Sequence, residues 1–203
     1  MIYQIIKRTL DLFLIISFFP LIIVFSLLIS ISLFFEIGYP ILFFQKRIGL
    51  RGREFKIIKF RTMTNEKDKL GELLPDFKRI TRIGKLIRKS SLDELPSLIN
   101  VLIGNMSIVG PRPFIVKYKN LYSKEQNQRH DVKPGITGLA QINGRNNLSW
   151  EDKFEWDITY VKNQSFILDI KILLKTFVIV LRKEGVNQNE EITMQEFKGN
   201  PNA

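Results

Sequence analysis

The sequence predicts a small, mostly helical α/β domain lying on a membrane surface, with an N-terminal re-entrant membrane helix broken at Pro20 and further amphipathic helices at the interface. Three observations predict it. From Leu12 to Phe35 no residue is charged, 24 in a row, enough to match the roughly 20 residues that cross a bilayer core. Lys7 and Arg8 precede that run, and Lys46, Arg47, Arg51, Arg53, Lys56 and Lys59 follow it, so both flanks carry the positive charge of a cytoplasmic side. The rest of the 203-residue chain alternates short strand-like runs with stretches of helical spacing, and it is long enough for one core.

In chain order, Ile2, Ile5, Ile6 and Leu10 recur at helical spacing beside Lys7 and Arg8, the start of an interfacial helix. Pro20 lies inside the apolar run, where it deletes a backbone hydrogen bond and bends the helix. A spanning helix with a proline kink is the alternative; a helix that enters, breaks and returns satisfies both basic flanks and makes the chain monotopic. Gly38, Tyr39 and Pro40 punctuate the exit. Residues 41–44 and 54–60 read as strands of a hairpin around the basic turn 46–52, and 65–76 as a surface loop. Ile83, Leu86 and Ile87 alternate with Arg82, Lys85, Arg88 and Lys89 as a helix with a basic face. Met106 to Val109 is strand-like, 114–129 reads as a helix, and Ser149 caps another that runs through Tyr160. Residues 166–182 are apolar but carry Asp169, Lys171 and Lys175, which favours an interfacial or core helix over a second span. The expected division is a membrane helix over 1–36, a catalytic domain at the membrane surface over 37–184, and a flexible polar tail over 185–203.

Lys and Arg total 31 against 20 Asp and Glu, a net +11, so anionic partners are expected. The chain has no cysteine, which excludes disulfides and thiolate metal sites, and its one histidine, His130, reads as structural or hydrogen-bonding. The candidate reactive centre is Ser90 to Pro96, where Asp93 and Glu94 sit among basic residues ahead of Leu95, Leu98, Ile99, Val101 and Leu102. Ser91 and Glu94 have the spacing of a capping box opening a helix, with both carboxylates in its first turn near the positive end. Adjacent helical positions point about 100° apart, so one carboxylate can meet carbon or phosphorus while the other meets a metal. Gly110-Pro111-Arg112-Pro113 holds one arginine in a stiff turn, suited either to a diphosphate or to a structural role. Lys133 to Gly138 and Gln141 to Arg145 are glycine-rich, as backbone that approaches phosphate must be, and as ordinary turns are too.

Taken together, these segments resemble the small bacterial sugar transferases, the monotopic phosphoglycosyl transferases that act on polyprenol phosphate. The likeness covers nearly the whole chain. It rests on Pro20, Lys59-Phe60-Arg61-Thr62-Met63, Ser91-Leu92-Asp93-Glu94-Leu95-Pro96, Asn100-Val101-Leu102, Gly104-Asn105-Met106-Ser107, Val109-Gly110-Pro111-Arg112-Pro113, Lys133-Pro134-Gly135-Ile136-Thr137-Gly138 and Asn143-Gly144-Arg145. It is nearest to the minimal members from bacterial protein N-glycosylation pathways. Two positions depart from the pattern: Phe19 precedes Pro20 where serine is frequent, and Asn105 stands where aspartate is usual.

The resemblance implies that Asp93 is a nucleophile attacking the phosphorus next to the sugar of a UDP-sugar, expelling UMP, and that polyprenol phosphate collects the covalent phosphosugar. It implies Mg²⁺ on Glu94, substrate phosphate or nucleotide held by Lys59, Arg88, Arg112 and Arg145, and Asp169 near the same site. It further implies the cytoplasmic face of the bacterial inner membrane, with phospholipid and downstream glycosyltransferases as neighbours. A basic membrane-anchored binding or scaffold protein is the rival reading, which gives no reason for Asp93-Glu94 among arginines. A nucleic-acid partner is not expected, because it needs no 24-residue apolar run.

Overall fold

The computed structural model describes residues 2–144, 147–182 and 196–199. The described chain is mostly helical with two small sheets. It begins with α1 (Ile2–Ser17) and α2 (Phe19–Ile37). The break falls at Phe18, two residues before the expected Pro20, which instead lies in the first turn of α2. A proline there gives up an N–H that has no partner within the helix anyway. Helix α2 is the one described helix long and apolar enough to cross a membrane.

Both helices lean on the same body. Ile15 of α1 and Ile22 of α2, on either side of the break, pack with Ile57, Val101 and Met106, while Ile29 and Leu33 pack with Phe60 and Ile87. The polar residues of α1 are drawn in as well. Arg8 donates to the carbonyls of Val101 and Leu102, and Asp11 accepts from Ser107 and the Ile108 amide.

The hairpin pairs β1 (Leu42–Ile48) with β2 (Glu54–Phe60), Leu42 opposite Phe60 and Ile48 opposite Glu54. Its first strand runs on through Lys46 and Arg47 of the expected turn, because both pair with β2 residues. After one turn of helix, α3 (Asp76–Arg79), comes α4 (Arg82–Lys89), whose N-cap Thr81 accepts from Gly84. A 3₁₀ segment, Leu92–Ser97, leads into α5 (Leu98–Leu102). Strand β3 (Ser107–Val109) pairs in parallel with β4 (Gly135–Thr137).

The helix expected over 114–129 is three pieces: 3₁₀ turns at Val116–Leu121 and Gln128–His130, and α6 (Lys124–Asn127) between them. Ser123 and Gln126 close a capping box, which starts a new helix where the earlier one would have continued. Then come α7 (Leu139–Ile142), α8 (Trp150–Asn163) with its expected Ser149 cap, and α9 (Phe166–Arg182). Of the segment read as a flexible tail, Glu196–Gly199 is described, and Phe197 is 4% exposed. It packs among Phe114, Tyr118 and Phe154, since a large aromatic ring gains more from burial than a polar context predicts.

Candidate active site

The Asp93-Glu94 segment is held by β2. Ser97 Oγ donates to the Ile58 carbonyl at 2.7 Å, Asn100 Nδ2 donates to the Lys56 carbonyl at 2.8 Å, and Asn100 Oδ1 accepts from the Ile58 amide at 3.1 Å. Two side chains thus grip the backbone of β2 around Lys59, and both are 1% exposed. Their role had no local signal in the sequence, because the partners lie about forty residues away in the chain.

Ser91 does not cap a helix. Its backbone is left-handed at φ 58°, its side chain makes no capping bond, and the turn that follows is 3₁₀. The capping-box expectation fails because the Glu94 carboxylate has stronger partners than the backbone amide. Lys59 Nζ reaches Glu94 Oε1 at 2.6 Å and Arg112 Nη2 reaches the same oxygen at 2.7 Å. Charge-assisted bonds of this kind are roughly twice as strong as neutral ones.

Asp93 stands beside this trio, its Oδ2 3.8 Å from Lys59 Nζ. Burial first, and the adjacent Glu94 second, push its carboxyl up to about 6, against the pull of Lys59, Arg112 and Arg88. Burial would raise Glu94 too, but Arg112 and then Lys59 outweigh it and hold Glu94 well below the usual carboxylate range. Two neighbouring carboxylates are therefore driven apart, one firmly ionised and one able to exchange a proton near neutrality, the pattern of sites that divide chemical roles.

Arg88 comes from the end of α4, with its Nε donating to Thr62 Oγ1 at 2.7 Å. Gly84 allows that approach: a Cβ there would stand 2.3 Å from the Thr62 carbonyl oxygen. Arg112 comes from the turn after β3. The glycines of Lys133 to Gly138 permit close backbone packing: a Cβ on Gly135 would stand 2.1 Å from the Gly110 amide. Their backbone groups are also engaged: the Gly135 amide donates to Pro111 and the Thr137 carbonyl accepts from Gly110.

A shallow cleft opens beside Glu94, lined by the polar side chains of Lys59, Arg112 and Arg47 and the apolar ones of Ile57, Met106 and Ile136. Asp93 lies next to it, outside the lining. Among the described residues no three His, Cys, Asp or Glu cluster to form a ready metal cage. The donor chemistry still suits Mg²⁺, which commonly takes one or two carboxylates and completes its shell with substrate phosphates and water. Glu94 Oε1 is occupied, but among the described residues Oε2 meets only Arg112 Nη1, at 3.5 Å.

The structure therefore joins Lys59, Arg88, Asp93, Glu94 and Arg112. It gives Asp169 to another network: Oδ2 accepts from Lys7 Nζ at 2.6 Å and Tyr3 at 2.9 Å, and Oδ1 from Tyr160 at 2.7 Å. At 1% exposure that carboxylate ties α1 to α9 and α8. Arg145 lies outside the described residues.

The family model for bacterial sugar transferases matches residues 2–183. The chain is 56% identical to an uncharacterized sugar transferase, EpsL, of Bacillus subtilis over 164 residues, 81% of each chain. It is 43% identical over 196 residues to a UDP-galactose-lipid carrier transferase of Erwinia amylovora, covering 88% of this chain and 41% of that one. It is 45% identical over 153 residues to a UDP-glucose:undecaprenyl-phosphate glucose-1-phosphate transferase of Xanthomonas campestris pv. campestris, covering 70% of this chain and 32% of that one. The chain thus spans about four-fifths of the first relative and well under half of the other two.

Proposed function

The chain belongs to the bacterial sugar transferases, and from that premise we propose that it moves a sugar 1-phosphate from a UDP-sugar to a polyprenol phosphate such as undecaprenyl phosphate, releasing UMP. It is a phosphoglycosyl transferase. The observation that carries the reaction is the pair of unlike carboxylates, Asp93 and Glu94, set against Lys59, Arg88 and Arg112.

In this reading an ionised Asp93 oxygen attacks the phosphorus bearing the sugar. The bond from that phosphorus to the UMP oxygen breaks, and UMP leaves. A phosphate oxygen of the polyprenol phosphate then attacks the same phosphorus, the aspartyl bond breaks, and the free carboxylate returns. Splitting one transfer into two displacements is the usual gain of covalent catalysis. Arg112 and Arg88 hold phosphate oxygens as charged forks, and Lys59 keeps Glu94 in register. Glu94 and the substrate diphosphate would hold Mg²⁺, which would neutralise phosphate charge there.

The membrane reading is a re-entrant helix at the cytoplasmic face of the bacterial inner membrane. What supports it is that both ends of the apolar run are tied to one body: Lys7 and Arg8 to α9 and α5, and the exit by Arg61, whose Nη2 donates to the carbonyls of Ile37 and Gly38. Between those ties Phe13, Ile16, Phe18, Phe19 and Leu21 present apolar surface outward.

The test is UMP release in detergent, starting with UDP-galactose and UDP-glucose. Without polyprenol phosphate, about one UMP per enzyme should appear and intact mass should rise by one phosphosugar, as expected for a covalent intermediate. Asp93→Asn should abolish both, and Glu94→Gln should abolish turnover and its response to added Mg²⁺ while leaving the fold intact. A phosphosugar trapped on Asp93→Asn protein would refute the assignment of the nucleophile.

A further inference from the structure

Among the described residues Arg112 is the site cation carried on a turn, and three successive carbonyls of that turn are held. The Pro111 carbonyl accepts from the Gly135 amide at 2.9 Å, the Arg112 carbonyl from Arg129 Nη2 at 2.7 Å, and the Pro113 carbonyl from Arg47 Nη1 at 3.1 Å. The grip on the middle one is unusual in its cost. Arg129 is 2% exposed, and its charge is met by Asp157, 1% exposed, through Nε at 3.0 Å and Nη2 at 2.6 Å to the same Oδ2. Its guanidinium lies 3.9 Å from the Phe114 ring centroid, and Phe114 belongs to the aromatic cluster that Phe197 completes. A buried ion pair contributes little to stability compared with apolar side chains of the same volume. Placed behind a substrate-facing arginine, it has another use.

We infer that Arg129, oriented by Asp157, is a positioning residue for Arg112. It touches no substrate. It holds the peptide of Arg112 so that the guanidinium projects to Glu94 and the cleft, in place for a substrate diphosphate before that substrate arrives. The arrangement needs arginine, because one nitrogen of the fork serves both Asp157 and the Arg112 carbonyl while a second nitrogen braces the same carboxylate. A lysine keeps the charge opposite Asp157 but cannot make both connections. The inference deepens the reading of Arg112 as a phosphate-holding group and rests on it.

The experiment compares the full chain with Arg129→Lys, Arg112→Lys and the double variant, all in detergent. Hydrogen exchange of the segment 108–116 is followed alongside steady-state UMP release from UDP-galactose or UDP-glucose with polyprenol phosphate. Arg129→Lys should raise KM for the UDP-sugar about tenfold and change kcat by less than about threefold, since preorganised ground-state binding is what it removes. Exchange should quicken in 108–116 and stay at the parent level in β1, β2 and α9. In the Arg112→Lys background, adding Arg129→Lys should change KM by less than about twofold, because the residue it positions is already lost.

Parent values of KM and exchange in Arg129→Lys would overturn the inference. So would effects of the two substitutions that multiply independently, or exchange that quickens throughout the protein, the mark of a purely structural role. Arg129→Ala is the harsher variant, and its failure to fold would leave Arg129→Lys to decide. If the parent protein releases no UMP from any UDP-sugar, the functional reading fails, and the exchange pattern alone then upholds or overturns the positioning role.

Discussion

At the scale of single residues, the site shows how one side chain's protonation is set by neighbours far away in sequence. Asp93 and Glu94 are adjacent, yet burial and mutual repulsion raise one while Arg112 and Lys59 lower the other. The same physics acts on His130, the one histidine, which is 6% exposed. Burial, and next the neighbouring Arg129, push its imidazole down to about 4 from an ordinary 6.5. Folded His130 therefore stays neutral where the unfolded chain takes up a proton. Stability should be fully present above pH 6.5 and be lost progressively as pH falls from 6.5 toward 4. The loss is on the order of 3 kcal/mol across that window. Thermal melts in detergent at pH 7.5, 6 and 5 should show a smaller decline for His130→Gln than for the parent. An identical decline in both would mean that other groups carry the acid sensitivity.

At the scale of elements, the N-terminal helices are attached to the domain by polar contacts as much as by apolar ones. Lys7 is 8% exposed, its ammonium bonds Asp169 of α9 and Tyr160 of α8, and Asp169 keeps no solvent contact of consequence. Removing one partner of such a pair leaves a bare buried charge and typically costs about 3–5 kcal/mol. Lys7→Met should lower the melting temperature sharply, and Lys7→Met with Asp169→Leu should recover much of the loss. A double variant as unstable as the sum of its singles would show that the two charges are not coupled. The hairpin, α4 and the 3₁₀ segment behave differently, being joined by the buried side chains of Ser97 and Asn100 and by the close approach of Gly84 to Thr62.

At the scale of the whole molecule, the prediction concerns which side of the membrane each part occupies. A chain whose apolar run is tied at both ends to one folded body keeps Gln4 and Lys56 on the same side. The sequence has no cysteine, so Gln4→Cys and Lys56→Cys each give a single reporter. Both positions are exposed. A membrane-impermeant thiol reagent applied to sealed inner-membrane vesicles of known orientation should label both from the cytoplasmic side. Labelling from opposite sides would replace the re-entrant helix with a kinked span. The aromatic cluster of Phe114, Tyr118, Phe154 and Phe197 adds a long-range connection, because it brings residue 197 against the turn that follows Arg112.

The sequence by itself determined what depends on near neighbours. The uncharged run with basic flanks, the Ser149 cap, the amphipathic α4 and α9, and the grouping of Asp93 with Glu94 all follow from residue spacing and the helical period. Their family likeness was legible in the same segments, and it pointed to Lys59, Arg88 and Arg112 before any geometry did. Tertiary structure decided what those local patterns compete with. The spacing of Ser91 and Glu94 suits a capping box, but Lys59, 35 residues before Glu94, and Arg112, 18 after it, take the carboxylate instead. The resemblance implies Asp169 near the same site, and in the fold its carboxylate bonds Lys7, 162 residues away. Arg129 and Asp157 carry no local signature at all, since neither belongs to a motif and their pairing exists only after α8 packs behind the Arg112 turn. A buried charge must find an opposite charge wherever the packed chain supplies one, and linear spacing does not record where that is.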